Sequence, residues 1–332
     1  MTNPNPNPDL DPDRVPAYRR APHWAAVLAA VFTLPLLILG GLVTTYRVGM
    51  AVPDWPTTFG MNMFLYNFWN AAVGVQLEHG HRLYGSAVGL TMIALCVWFF
   101  LFEKRGWMKA LGVTALVVVI IQGLMGGFRV TLNSTPLAAL HGCLGQAFFA
   151  MTVALATFTG RDWLSDAKPA PDSKGIRGLA LLTLALVFAQ IGLGAWVRHF
   201  SGTAAAVFHG VVGTAILGIA AHLFVTIKKS DPPRPSLKSA ARVQEVLAGL
   251  QILLGVASFV MLWPFDGMPR VVGFYQAVVR TVHQTNGAVL LAASVVTVLR
   301  AYRHLGPASL REASSSSSPS SSAVPADLEV VA

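Results

Sequence analysis

The sequence predicts an all-α polytopic membrane protein, with eight transmembrane helices arranged as two pseudo-symmetric four-helix bundles. Three observations carry this prediction. Hydrophobic residues make up 54% of the 332 residues and charged residues only 12%, about half the charge of a soluble globular domain. The apolar residues fall into eight runs of about 20 residues, the length that crosses a hydrocarbon core. A glutamine, glycine, arginine and histidine pattern in the first half of the chain returns in the second half.

The eight runs are 24–46, 82–102, 109–128, 137–159, 178–197, 203–227, 244–263 and 281–299. The first contains Pro35, which a membrane helix tolerates when its neighbours satisfy the freed backbone group. It is long and lacks a small-residue cleavage site, so it reads as a retained helix. Eighteen of the 24 Lys and Arg residues fall on one side of these runs. The positive-inside rule makes that side cytoplasmic and places both termini there. The net charge of +9 is therefore a topology signal, with no nucleic-acid partner implied. Cys96 and Cys143 both lie inside apolar runs, which argues against a disulfide framework or a zinc site.

The chain then divides into a polar cytoplasmic N-terminal segment (1–22), a first four-helix half (23–160) and a cytoplasmic linker (161–177). A second four-helix half (178–304) and a Ser-rich cytoplasmic tail (305–332) follow. The tail has no apolar periodicity and is expected to be disordered. The loop 48–77 faces outward. Its aromatic stretch 61–69 is too short to span, and reads either as a cover lying in the interface or as an aromatic anchor.

The stretch Glu78-His79-Gly80-His81-Arg82 opens directly into an apolar run. Ionisable groups at such a place are costly to desolvate and mark a cofactor, a substrate path or a proton path, or else an interfacial charge cluster. Glu78 and His81 are three residues apart, so a helix beginning before them projects both from one face. Gln-x-x-x-Gly occurs at Gln122–Gly126, Gln190–Gly194 and Gln251–Gly255. Small residues at this spacing also let helices approach closely. His81, His141, His209 and His283 each lie near the outer end of an even-numbered run. The pattern pairs His81 with His141 and His209 with His283. No acidic or thiol partner set clusters near His141, His209 or His283 as zinc or a di-iron centre would require. A haem needs only one or two axial imidazoles, an apolar slot and cations for its propionates. Arg47, Arg82, Arg129 and Arg198 stand at the same outer level, as propionate partners or as headgroup anchors. His222, 13 residues beyond His209, lacks a second helix with matching spacing. On the residues alone, a b-type cytochrome carrying electrons from quinol and a transporter or haem-handling assembly factor stay open as alternatives.

Glu78-x-x-His81-Arg82, the eight runs, the duplicated half and one histidine on each even-numbered helix resemble the haem A synthase family. So does the stretch from Arg47 to Gly60 with Asn62 to Tyr66. The resemblance implies oxidation of haem O to haem A by two hydroxylations of the ring C8 methyl and loss of water to give a formyl group. It implies a haem B cofactor held by His209 and His283, with haem O on the side of His81 and His141. Glu78 would then act catalytically, handling a proton or steadying positive charge beside the methyl. Arg47, Arg82, Arg129 and Arg198 would bind substrate or propionates. The implied setting is a bacterial cytoplasmic (inner) membrane. The implied partners are an electron donor, the haem O synthase and cytochrome oxidase assembly factors. Many members carry a cysteine pair in the first outer loop; this chain has none between Val48 and Leu77.

Overall fold

In a computed structural model, the described residues are 18–165, 168–172, 174–200, 202–230, 233–262 and 271–307. Most of the polar N-terminal segment and nearly all of the Ser-rich tail lie outside them. Among the described residues eight helices are long and apolar enough to cross a membrane: α1 Arg20–Thr45, α2 Val73–Phe102, α3 Gly106–Thr131, α4 Thr135–Phe158, α5 Ile176–Phe200, α6 Thr203–Lys228, α7 Pro235–Leu262 and α8 Phe274–His304. In lipid a spanning backbone must satisfy its own polar groups, and a helix does so within one segment. Two small pairings complete the fold. Thr57–Thr58 (β1) pairs antiparallel with Met61–Asn62 (β2), and Ala170–Pro171 (β3) pairs parallel with Leu305–Gly306 (β4).

Local sequence sets the helix ends. Ser134 accepts a hydrogen bond from the Leu137 amide at 3.3 Å, and Pro136 occupies the first turn of α4, where a missing N–H costs nothing. Pro35 sits inside α1 without ending it. Several helices outrun their apolar windows. α2 begins nine residues before Arg82, α7 nine before Gln244 and α8 seven before Thr281. The extra turns mix polar and apolar residues, and Glu78 and Gln276 in them find hydrogen-bond partners that hydropathy does not register.

In the first half α1, α2, α3 and α4 pack in a closed ring of neighbours, and α5 to α8 repeat that ring in the second. The halves meet through α1, α4, α5 and α8. α8 is the most enclosed of the eight helices. Ala26, Val88, Met92, Phe99, Met108 and Phe148 fill the centre of the first half. Leu37, Phe149, Val187, Ile216, Ala288 and Leu291 close the seam between the halves. Leu90, Val97, Leu253, Val256 and Val260 point outward, as expected of lipid-facing surface.

Candidate functional site

The four histidines meet in two pairs. His81 of α2 and His141 of α4 stand with ring centroids 6.2 Å apart and planes at 80°. His209 of α6 and His283 of α8 stand 6.3 Å apart at 76°. Two imidazoles bound trans to one metal ion, with each nitrogen ~2 Å from it, have ring centres about 6 Å apart. Both pairs match that spacing.

Each ring is seated by a glycine on the preceding helix. A Cβ at Gly40, Gly126, Gly194 or Gly255 would lie 3.1, 2.9, 3.1 or 3.2 Å from Cε1 of His81, His141, His209 or His283, respectively. The glutamine four residues before three of these glycines completes the seat. Gln122 and Gln190 donate to the backbone carbonyls of His141 and His209. Gln251 Nε2 lies 3.3 Å from His283 Nε2. Each amide crosses a second glycine, Gly145, Gly213 or Gly287, where a Cβ would come within 3.2 Å of it. These glycines lie four residues after the histidines, so the missing side chain opens the amide's path. In the first hairpin Leu36 takes the glutamine's place, beside Gly85. One device thus recurs in all four helical hairpins.

The donor set fits a haem iron. His141 Nδ1 meets the Gln122 carbonyl at 3.1 Å, the outer-shell hydrogen bond that orients a ligating imidazole and leaves its other nitrogen for a metal. The rings of His81 and His283 face the backbone of Leu36 and Gln251, and Nδ1 of His209 is buried with no hydrogen-bond partner among the described residues. Among the described residues no group of three or more His, Cys, Asp and Glu converges on one point. Two imidazoles alone suit a metal whose other ligands come from a macrocycle.

The rims differ. Glu78, 1% exposed, lies three residues before His81. Its Oε2 accepts the Val52 amide at 3.0 Å, and its Oε1 accepts Arg82 at 2.9 Å and faces Arg129 at 3.6 Å. Arg82 also donates to the carbonyls of Val52, Asp54 and Thr57. Arg82 thus fastens the loop after α1 to α2, a role its sequence position did not reveal. In the second half Arg280 occupies the register that Glu78 holds, three residues before His283. Arg198 donates to the Gly41 carbonyl at 2.8 Å and to Thr45 Oγ1 at 2.6 Å, joining α5 to α1. Its buried Nε has no partner. Arg198 interacts electrostatically with Arg280, and Arg280 with Arg47. Arg280 stands outside the arginines that the sequence pattern marks, and its register relative to His283 was the available signal.

The loop itself is built around two anchors. Asp54 accepts the amides of Phe59 and Gly60 and the Thr57 hydroxyl. Burial alone would raise its carboxyl, but these donors outweigh it and bring the pKa down to about 2. His79, fully buried, meets Thr58 Oγ1 at 3.1 Å and packs its ring against Tyr66 and Phe68. The aromatic stretch 61–69 therefore turns Tyr66 and Phe68 inward, while Phe64, Leu65 and Trp69 stay exposed. Trp55 covers Gly127 of α3. His222 is exposed on α6. His304 is buried and pairs with Asp162 and Ser236, a contact the sequence did not foretell.

The family profile described as cytochrome oxidase assembly protein (COX15-CtaA) matches residues 22–206. That stretch holds Glu78, His81 and His141 and ends just before His209. Among curated proteins, the chain is 31% identical over 184 residues to a heme A synthase of Exiguobacterium sibiricum, covering 53% of this chain and 59% of that one. It is 27% identical over 216 residues to one of Alkalihalophilus pseudofirmus, covering 58% and 71%. To one of Methylorubrum extorquens it is 28% identical over 228 residues, covering 58% and 59%. The chain thus spans 59% of the first relative's length. With more than half of its residues under the family profile, and with paired histidines seated in repeated hairpins, this chain belongs to the haem A synthase family.

Proposed function

We propose that this protein is a haem A synthase that oxidises the C8 methyl of haem O to a formyl group. Two hydroxylations would give the geminal diol, and loss of water the aldehyde. The observation that carries the reading is the pair of imidazole couples, each spaced so that both rings could hold one metal ion and each seated on glycine. The relatives compared above are heme A synthases by name.

His209 and His283 would hold haem B, and His81 and His141 the porphyrin substrate. Haem B bound there supplies one-electron transfer. The chain's own residues do the rest. Arg198 and Arg280, with the exposed Arg47 beside them, crowd positive charge at one rim; desolvated cations such as Arg198 need anions, and propionates would provide them. Arg129 offers a further guanidinium near the first pair. Arg82, with its donors engaged by loop carbonyls, acts as a positioning residue. Glu78 places a carboxylate on the face of α2 that carries His81, where it holds a proton or offsets positive charge developing at the methyl. The loop closed by Arg82, Asp54 and His79 shields that charge from water. The setting proposed is a bacterial inner membrane with both termini cytoplasmic.

A second reading deserves its place because the two couples are so alike: a di-haem b-type cytochrome passing electrons from quinol. Haem extraction from cells supplied with haem O separates them. The synthase reading expects a formyl-bearing haem; a protein that yields only unmodified haems overturns it.

A further inference from the structure

A cavity lies at the Lys- and Arg-rich end of the bundle, remote from the histidine pairs. It has a volume of 340 Å³ and is lined from α1, α4 and α8 and the turn after α4. Val153, Ala156 and Val296 supply apolar wall, and His23, Arg161 and Arg300 supply cationic or titratable groups. The single carboxylate of the lining, Asp162, is engaged by Arg300 at 3.4 Å and His304 at 3.1 Å. Arg300 also donates to the Ser236 carbonyl. Arg161 is different. Its guanidinium stacks over the Tyr18 ring at 4.8 Å and has no hydrogen-bond acceptor among the described residues. His23 packs against the Tyr18 and Trp24 rings, and its Nδ1 lies 3.3 Å from Thr159 Oγ1, leaving its other ring nitrogen for a ligand.

Arg161 is exposed at the cavity mouth with no carboxylate partner among the described residues, so with the imidazole it can receive an anion, and the apolar wall suits a chain attached to that anion. We propose that this cavity binds the phosphodiester headgroup of an anionic phospholipid. Arg161 and His23 meet the phosphate, and the acyl chains run along Val153, Ala156 and Val296. Basic pockets between membrane helices on the cytoplasmic side recognise such headgroups, and the excess of Lys and Arg puts this end on that side. The cavity joins α1 and α4 of the first half to α8 of the second, so the lipid bridges the halves. The inference is independent of the haem assignment.

The test uses the purified full-length protein in neutral detergent. Native mass spectrometry and thermal unfolding are followed with phosphatidylglycerol, phosphatidylcholine or inorganic phosphate. Phosphatidylglycerol should be retained and should raise the unfolding midpoint, while phosphatidylcholine and phosphate should not. Arg161→Gln should weaken retention about fivefold, the share of one basic residue near an anionic surface, and His23→Gln should weaken it independently. Arg242→Gln, which removes an exposed partner of Glu245, should change nothing. Wild-type retention in both Arg161→Gln and His23→Gln overturns the proposal, as does equal stabilisation by phosphatidylcholine. If inorganic phosphate reproduces the full shift, the site takes free phosphate and the lipid assignment is wrong.

Discussion

Alanine at position 194 would set its Cβ 3.1 Å from Cε1 of His209. Carbon atoms rest at about 3.5–4.0 Å, so the imidazole must retreat by roughly half an ångström. A metal–ligand distance tolerates about 0.2 Å, so the retreat exceeds what an axial bond absorbs. Alanine at Gly192, two residues away on the same helix, meets nothing within 4 Å. It should gain up to ~1 kcal/mol in helix propensity. Gly194→Ala gains the same propensity and loses ~1–3 kcal/mol to overpacking. The two variants should therefore part company in the spectrum. Gly192→Ala should keep the low-spin signal of bis-imidazole haem, and Gly194→Ala should convert a large share of it to high spin. Absorbance and electron paramagnetic resonance of the purified proteins measure this directly. A low-spin spectrum unchanged in Gly194→Ala would refute the idea that the glycine seats set the ligand spacing.

Other outcomes follow from the same geometry. Gly126→Ala, whose Cβ would lie 2.9 Å from His141, should weaken binding of the porphyrin substrate more than Gly255→Ala weakens haem B, as read by titration and haem content. Glu78→Gln should retain haem B but lower haem A formation about 100-fold or more; normal output in a haem extract would exclude the role given to Glu78. Replacing His209 or His283 with alanine should abolish the low-spin haem B spectrum, and its survival in both variants would disprove the pairing. The Asp54 carboxyl titrates at about 2 in the folded loop, below its ordinary 3.8. Its contribution to the loop is therefore complete above about pH 4 and lost as pH falls through 2. Protease cleavage within residues 48–60 should rise over that window, and Asp54→Asn should flatten the profile.

The eight crossings were legible because lipid imposes one rule on every span, a long apolar window, and the sequence obeys it eight times. The histidine pairs were legible through register: one imidazole at like depth on every second helix. The helix starts were not, since Glu78 and Arg82 are polar residues whose partners, the Val52 amide and the carbonyls of Val52, Asp54 and Thr57, come from a loop some 25 residues away. Hydropathy sees the charge and not the partner. For the same reason Arg82 reads as a propionate ligand in the sequence and as a loop fastening in the structure. The Gln-x-x-x-Gly pattern was visible, but its purpose lay across the interface, at the glycine four residues beyond each histidine.

The repeated seat makes the scaffold indifferent to what each pair holds. The register three residues before the imidazole carries glutamate at 78, alanine at 138 and 206 and arginine at 280. Acid stands at one mouth and base at the other, on hairpins otherwise cut from the same template. A chain built in this way can divide its labour between two equivalent compartments by exchanging a few side chains at their thresholds, leaving the timbers of the membrane bundle untouched.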